Sequence, residues 1–479
     1  MQKLVLLRLM AAILAVSALL MIPALITAAV LGEEVKSFAV PIGGALIITA
    51  PVIFLVRTGP IRLSPREGFL MVFLAWVFSS LLGALPYVFS PCGLSFTDSL
   101  FESSCAFATT GGTTISDIEA LPRSLLLWRG MSHWFGGMGI VRLSVALMPL
   151  FGVGGFQLIK AETPGPEKEK ITPRIAAAAK MLWMVYTILT LVLVILYRLG
   201  GMNFFDALCH GLAIMSTGGV STKNRGLAFF NSPFIEGVTT IFMLLSALNF
   251  NLYFRLLKGK FGDLLRSTEL RVYFSIFFIA AAIITINLLP LYGSLGESFR
   301  YASYHTASIL TTTGGAVADY ETWPALTQGI LFCLMFIGGC SASTAGGIKV
   351  IRCAVLFKQA GNEIRRLLYP LGVFSIQLNK KVGRKDVIYG AAGFVFLYLL
   401  TIALTTMVAA FSGVDLFSSF SAALAVLGNV GQGFGAVGPT QNYAAFAAPV
   451  KWFYSLVMIA GRLELWTVVV LFTPAYWRR

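Results

Sequence analysis

The stretches FTDSLFESSCAFATTGGT (96–113), FFDALCHGLAIMSTGGVS (204–221), FRYASYHTASILTTTGGA (299–316) and LFSSFSAALAVLGNVGQG (416–433) share one layout. Each opens as a short apolar helical run and ends in Gly, Thr, Ser or Asn, and each is too short to cross a hydrocarbon core of about 30 Å. Aligned on Gly111, Gly219, Gly314 and Gly431, they carry Phe96, Phe204, Phe299 and Leu416 near the start and Thr109, Thr217, Thr312 and Asn429 two positions before the glycine. In the second stretch two glycines compete, and Gly219 is chosen because its distance from Asp206 equals that of Gly111 from Asp98. His210 and His305 lie equally far from their glycines, which supports that register. The pattern is an internal repeat with a period of roughly 100 residues, and such a repeat organises the whole reading.

Outward from each stretch lie runs of about 20 apolar residues, the length that crosses a bilayer as a helix. Spans read at roughly 8–31, 37–56, 68–89, 122–150, 176–199, 230–256, 272–292, 323–350, 387–411 and 449–474, about ten in all. The 479 residues are 57% hydrophobic and 12% charged, against about 45–50% and about 25% in a soluble domain, so a soluble globule is excluded. An excess of 36 Lys+Arg over 21 Asp+Glu gives a net charge of +15, and it sits in short loops. These are Lys3 and Arg8; Arg57, Arg62 and Arg66; Lys160 to Lys180; Arg255 to Arg271; Lys349 to Lys385; and the closing Arg478 and Arg479. By the positive-inside rule these segments and both termini are cytoplasmic. The segment 86–122 has Asp98, Glu102, Asp117 and Glu119 but no Lys or Arg, and faces outward. Basic loops of this kind meet anionic lipid and, in part, a protein partner; no nucleic-acid surface is implied. The six cysteines form no CxxC pair and read as small buried hydrophobes. The first apolar run reads as a retained helix and not a removed signal peptide. No nucleophile–base pair, metal cluster or phosphate loop stands out, so the chain is not read as an enzyme and no cofactor is expected.

A short helix followed by extended backbone is tolerated at membrane depth only where it lines water or is buried in protein. Four such segments from one chain can surround a dehydrated cation with backbone carbonyls. Glycine supplies the backbone angles that turn successive carbonyls the same way, and each re-entrant helix would aim its partially negative C-terminal end at the centre. Asp98, Glu102, Asp117 and Glu119 would add an acidic vestibule. The competing reading is that TTGG and STGG merely end helices; four copies in register argue against it. His210 and His305 are either proton carriers or hydrogen-bonded supports of the re-entrant helices, and the second is the commoner role. The run Gly338-Gly339-Cys340-Ser341-Ala342-Ser343-Thr344-Ala345-Gly346-Gly347 is a poor helix. It is either a loop inside the membrane or a close-packed crossing of small residues. Arg462 lies within the last span, where a charge is expensive and marks function by default; Glu464, two residues on, does not share its helical face.

The segments WFGGMGIV (134–141), GVGGFQLIKAETPGP (152–166), the four glycine stretches, GGCSASTAGGIKVIR (338–352), GNVGQGFGAVGP (428–439) and GRLELWTVVVLFTPAYWR (461–478) resemble the TrkH proteins of the bacterial Trk/Ktr/HKT superfamily of potassium transporters. The resemblance covers the whole chain. It implies an all-α polytopic membrane protein of about ten transmembrane helices, with four re-entrant pore helices in a pseudo-fourfold repeat around one central pore. The units would be an N-terminal helix pair (1–67) and four pore repeats (68–155, 156–260, 261–352 and 353–479). Potassium is the implied substrate, held by a selectivity filter of Thr109, Thr110 and Gly111; Thr217, Gly218 and Gly219; Thr312, Thr313 and Gly314; and Asn429, Val430 and Gly431. The stretch Gly338–Gly347, bordered by Lys349, is the implied gate beneath the filter, with Arg462 in the pore wall. A homodimer in the bacterial inner membrane and a cytoplasmic ring of TrkA-type nucleotide-binding regulatory subunits are implied as well. Two residues depart from the family pattern: Arg142, where an aliphatic residue is expected, and Gln432, where proline follows the fourth filter glycine. The expected function is channel-like potassium uptake; the alternatives are a sodium- or proton-coupled potassium symporter and a sodium or mixed sodium/potassium transporter of the same fold.

Overall fold

The computed structural model describes residues 3–56, 64–139, 175–257, 267–379 and 385–478, together with 259, 262, 381 and 382. Its helices, in chain order, are α1 (Lys3–Leu19), α2 (Ile22–Leu31), α3 (Lys36–Leu55), α4 (Pro65–Val88), α5 (Phe96–Phe107) and α6 (Arg123–Met138). Then come α7 (Ile175–Leu199), α8 (Phe204–Met215), α9 (Pro233–Ser246), α10 (Phe250–Leu257), α11 (Thr268–Tyr292) and α12 (Leu295–Leu310). The chain continues through α13 (Ala325–Ile337), α14 (Val350–Leu368), α15 (Lys385–Ala410), α16 (Leu416–Leu427), α17 (Ala448–Leu463), α18 (Leu465–Val469) and a last turn, α19 (Pro474–Trp477). Gln377–Leu378 and Lys381–Val382 pair as a small antiparallel hairpin between α14 and α15.

Six described segments are long and apolar enough to cross a membrane: Lys3–Leu31, Lys36–Leu55, Arg66–Val88, Lys180–Leu199, Thr268–Tyr292 and Lys385–Ala410. Their outward faces expose Ile47, Phe54, Phe278, Ile286, Phe396 and Met407. Apolar surface this extensive is stable only against acyl chains or another apolar surface.

The four apolar stretches that are too short to cross become α5, α8, α12 and α16. Ser95, Asn203 and Asp415 cap three of them, their side chains accepting from the backbone N–H of Asp98, Asp206 and Ser418 at 3.1, 2.8 and 3.0 Å. All four end in the same way. The N–H groups of Thr110, Gly218, Thr313 and Val430 reach back to the carbonyls of Cys105, Ala213, Ser308 and Ala425 at 2.9, 2.8, 2.8 and 2.9 Å. Each closure turns around a left-handed residue, Thr109, Thr217, Thr312 or Asn429, with φ of 56°, 55°, 57° and 54°. A helix end of this kind normally takes glycine. A β-branched threonine there is strained and persists only where its surroundings dictate the conformation.

Five of the expected spans are not single helices; the first, 8–31, divides at Leu20 and Met21 into α1 and α2. Of 122–150, the helix α6 stops at Met138 and Gly139 takes a positive φ of 80°; residues 140–150, Arg142 included, lie outside the described residues. The stretch 230–256 is α9 and α10 with a break between them, and 323–350 stays helical only to Ile337. The last span bends by 117° between α17 and the segment Leu465–Phe472. Glycine and serine explain why the helix fails at 338–347, but the location of the breaks has a second cause. Each break supplies the other's hydrogen-bond partners. Cys340 N–H donates to the Ala247 carbonyl (2.9 Å), Phe250 N–H to that of Ala342 (3.1 Å) and the Thr344 hydroxyl to that of Ser246 (2.9 Å). Lys349 N–H returns to the Ile337 carbonyl at 2.8 Å. Buried backbone groups left without partners would cost several kcal/mol apiece in a membrane, so broken helices must meet at their breaks.

Candidate functional site

The four aligned glycines all have positive φ: 84° at Gly111, 60° at Gly219, 72° at Gly314 and 81° at Gly431. In each segment a left-handed Thr or Asn is thus followed two residues later by a left-handed glycine. A Cβ on Gly111 would fall within 3.0 Å of the Gly218 carbonyl oxygen, one on Gly219 of Thr313, one on Gly314 of Val430 and one on Gly431 of Thr110. The contacts run from first segment to second, third, fourth and back to the first. Thr110, Gly218, Thr313 and Val430, each one residue before its glycine, therefore meet their neighbours at one level. The next carbonyls are engaged elsewhere: Gly112 accepts from Cys105 Sγ (2.9 Å) and Gly315 from the Ser308 hydroxyl (2.6 Å). The fourth segment differs, because the carbonyl of Gly431 itself accepts from the Tyr443 hydroxyl at 2.8 Å. Asn429 is also held sideways, its amide donating to Thr110 Oγ1 (2.9 Å) and to the Met458 carbonyl (3.1 Å).

The two sides of this constriction are unequal. One opens into a cavity of about 450 Å³ whose walls include Gly111, Gly219, Gly315, Gln432, Lys223 and Arg225. The other has only about 30 Å³, between Gly137, Ser343, Gly346, Lys349, Gly461 and Arg462. The acidic vestibule expected on the wide side is not as drawn. Glu102 is 1% exposed and lies behind the first segment, and Asp98 is paired with Lys451 at 2.7 Å. Asp117 and Glu119 remain at the surface and both receive hydrogen bonds from Asn224. The Asn224 amide holds the Asp117 carboxyl below the ordinary carboxylate range. The sequence shows charge but not which side chains find partners, and Lys223 and Arg225 offset what acidity is left. His210 and His305 both hold their surroundings. Each Nδ1 meets the carbonyl one turn back (Asp206, 2.7 Å; Tyr301, 2.9 Å), and His210 Nε2 meets Ser221 Oγ at 2.8 Å.

The narrow side is closed by residues 338–349. Gly338 (φ 78°) and Gly347 (φ 76°) turn the chain out of its helical path and back. Gly346 N–H donates to Thr312 Oγ1 at 2.7 Å, which fixes the loop directly beneath the third glycine segment. Ser341 donates twice to Glu269, from N–H (2.6 Å) and hydroxyl (3.0 Å). Arg462 binds the carbonyls of Thr344, Gly136 (2.9 Å) and Gly137 (2.5 Å), and Lys349 binds that of Ala345. Lys349 and Arg462, named from the sequence, therefore converge with the loop. Glu464 turns away to pair with Arg352 at 2.7 Å, while the Arg352 guanidinium lies 3.8 Å from the Phe394 ring centre.

Sequence reasoning missed Glu269, Arg352 and Arg129. The first two look like ordinary charges at span ends, and nothing along the chain pairs them. Arg129 had a readable signal, since it lies within an expected span, where a charge is as costly as at Arg462. Glu269→Ala would leave the buried Ser341 N–H without its acceptor, at a cost of about 1–3 kcal/mol. The melting temperature of the detergent-solubilised protein is expected to fall; an unchanged melt means the loop is not anchored there.

Lipid-facing helices around broken ones, meeting in a backbone-lined constriction between two cavities, define a polytopic membrane transport protein. The family model for TrkH, described as cation transport protein, matches residues 37–479. The "Trk system potassium uptake protein TrkH" of Escherichia coli K12 is 40% identical over 422 residues, 87% of each chain. The TrkH of Halomonas elongata is 37% identical over 485 residues, 99% of each. A crystal structure of the potassium transporter TrkH from Vibrio parahaemolyticus superposes with a TM-score of 0.90 at 33% identity, covering all of both chains. The chain belongs to the TrkH family of cation transport proteins.

Proposed function

We propose that this chain is the potassium-conducting subunit of a Trk-type uptake system in a bacterial inner membrane. The observation that carries the proposal is the repeated backbone: a left-handed Thr or Asn, one residue, and a left-handed glycine packed on the next segment's carbonyl, four times in closed order. Four re-entrant pore helices, contributed by repeats 68–155, 156–260, 261–352 and 353–479, then surround one pore in pseudo-fourfold fashion. The N-terminal pair 1–67 stands outside it. Thr109–Gly111, Thr217–Gly219, Thr312–Gly314 and Asn429–Gly431 form the filter, whose carbonyls replace the water of a potassium ion. With the basic loops in the cytoplasm, both termini are inside and the wide cavity opens outward. Residues Gly338–Gly347, with Lys349 and Arg462, are the gate; a space of about 30 Å³ below the filter, against about 450 Å³ above it, is what a closed gate leaves. Potassium enters passively, favoured by about 2.3 kcal/mol per 100 mV of inside-negative potential. Assembly as a homodimer on a TrkA-type nucleotide-binding ring is part of the same proposal, supported by the resemblance to Trk systems.

Sealed vesicles under imposed voltage test this. Currents reversing at the potassium potential, independent of pH and sodium, are expected. A reversal potential that moves with pH or sodium at a fixed potassium gradient identifies a coupled symporter, and reversal at the sodium potential identifies a sodium pathway.

A further inference from the structure

Nine residues before the four filter glycines stand Glu102, His210, His305 and Ala422. In three strands this position grips the segment just past the filter, through its backbone in the first and third and through the Ser221 hydroxyl in the second. Glu102 Oε1 accepts from Thr114 N–H (2.6 Å) and the Thr113 hydroxyl (2.7 Å); His210 Nε2 meets Ser221 Oγ (2.8 Å); the N–H groups of Val317 and Ala318 point at His305 Nε2 (3.4 Å each). In the fourth strand alanine cannot do this, and the hydroxyls of Ser421 and Ser418 accept instead from Phe434 N–H (2.7 Å) and Ala436 N–H (3.0 Å).

Among these four clamps, that of the first strand alone carries a full charge. Glu102 and Arg129 are 1% and 2% exposed, with Arg129 Nε 3.3 Å from Glu102 Oε2. The same guanidinium extends Nη1 to the Ser221 carbonyl (3.5 Å), which belongs to the segment following the second strand. Arg129 also reaches the wall of the wide cavity. One buried pair thus joins the outer ends of two adjacent filter strands. Such a pair adds little net stability, yet removing either member leaves a buried charge uncompensated, so it enforces one geometry.

We infer that Glu102 and Arg129 are positioning residues for potassium selectivity, holding the outer ends of the first and second filter strands at the spacing a potassium ion requires. The inference rests on the filter reading. Discrimination between potassium and sodium depends on the number and arrangement of carbonyls. The pair therefore acts on which ion passes, without touching the ion.

The test is the potassium-to-sodium permeability ratio, read from reversal potentials of the reconstituted full chain; this ratio does not depend on how many pores are active. Glu102→Gln keeps the volume and a carbonyl acceptor for Thr114 while removing the charge, and Arg129→Gln removes the other half. Each is expected to lower the ratio by about tenfold, and the double variant to fall no further than either alone, as for two groups acting as one unit. Wild-type ratios in both single variants overturn the inference, as do single effects that multiply in the double variant. Should a single variant not fold, the double one, which buries no unpaired charge, decides: a wild-type ratio there overturns the inference. Gly111→Ser measured alongside separates the two levels. If it lowers the ratio while Glu102→Gln does not, the filter reading stands and the pair is only structural; if Gly111→Ser has no effect either, both fall.

Discussion

Gly219→Ser is expected to lower the preference for potassium over sodium by about 10- to 100-fold while the proposed pore still conducts. Two physical terms add. A side chain at φ of 60° occupies a region that L residues reach at a cost of about 1–3 kcal/mol, which alone spans roughly 5- to 150-fold in an equilibrium. Its Cβ would also lie within 3.0 Å of the Thr313 carbonyl oxygen, a backbone atom that cannot swing away. The strand must shift, and with it a ligand of the third strand. Gly111→Ser, Gly314→Ser and Gly431→Ser meet the same conflict with Gly218, Val430 and Thr110. Gly431 should respond differently in degree, because Tyr443 already holds its carbonyl. The control needs care. Gly112 is a poor one, since a Cβ there would come within 2.7 Å of the Tyr443 ring. Gly315 is better: its Cβ would meet the Tyr304 hydroxyl at 3.2 Å and the Gly219 carbonyl oxygen at 3.8 Å, an ordinary contact, and its carbonyl is held by Ser308. Reversal potentials in mixed potassium and sodium for these variants decide the register. Loss of selectivity in Gly315→Ser, with the four glycines tolerant of serine, would place the filter one residue further on.

The second large effect is expected at Arg462. A fixed positive charge beside the narrow path opposes a passing cation; two unit charges roughly 4 Å apart repel by about 4 kcal/mol at an effective dielectric of about 20. Relief of a third of that, about 1.4 kcal/mol, corresponds to roughly tenfold in rate. Arg462→Ala also frees the carbonyls of Thr344, Gly136 and Gly137 and so loosens the loop from α6. Potassium uptake by the chain reconstituted alone should therefore rise by about tenfold, with selectivity little changed, because the proposed filter lies above. Deleting two or three residues between Ser341 and Ala345 should act in the same direction. Lower uptake in a folded Arg462→Ala protein overturns the barrier role and makes the arginine a strut that keeps the path open.

Arg142→Val addresses a residue outside the described part of the chain. The sequence expectation is that Arg142 snorkels to the cytoplasmic interface; α6 ends at Met138, so helical rise does not measure its distance from the outer boundary. Selectivity is expected to stay intact, and a large change in single-pore current would place its charge in the pore.

The membrane class, the family and the four short apolar helices were legible because they depend on local quantities: apolar run length, residue type and spacing. The spacing that selects Gly219 over Gly218 is the one at which the backbone turns left-handed in all four segments. Residue type alone could not announce that three threonines and an asparagine would turn left-handed too, since that strain is accepted only because neighbouring segments enforce it. Hydropathy counted 230–256 and 323–350 as whole spans, because an apolar run reads alike whether its helix is intact or broken. The breaks occur where Ala247 and Cys340, or Ser246 and Thr344, exchange hydrogen bonds across nearly a hundred residues of chain, and such partners are invisible to any local window. Charges followed the same division. Their number and clustering came from the sequence, whereas tertiary packing alone decided that Glu102 would be buried against Arg129, Glu269 would hold Ser341 and Glu464 would turn to Arg352. A buried charge must find its counter-charge in space, and distance along the chain places no limit on where that partner lies.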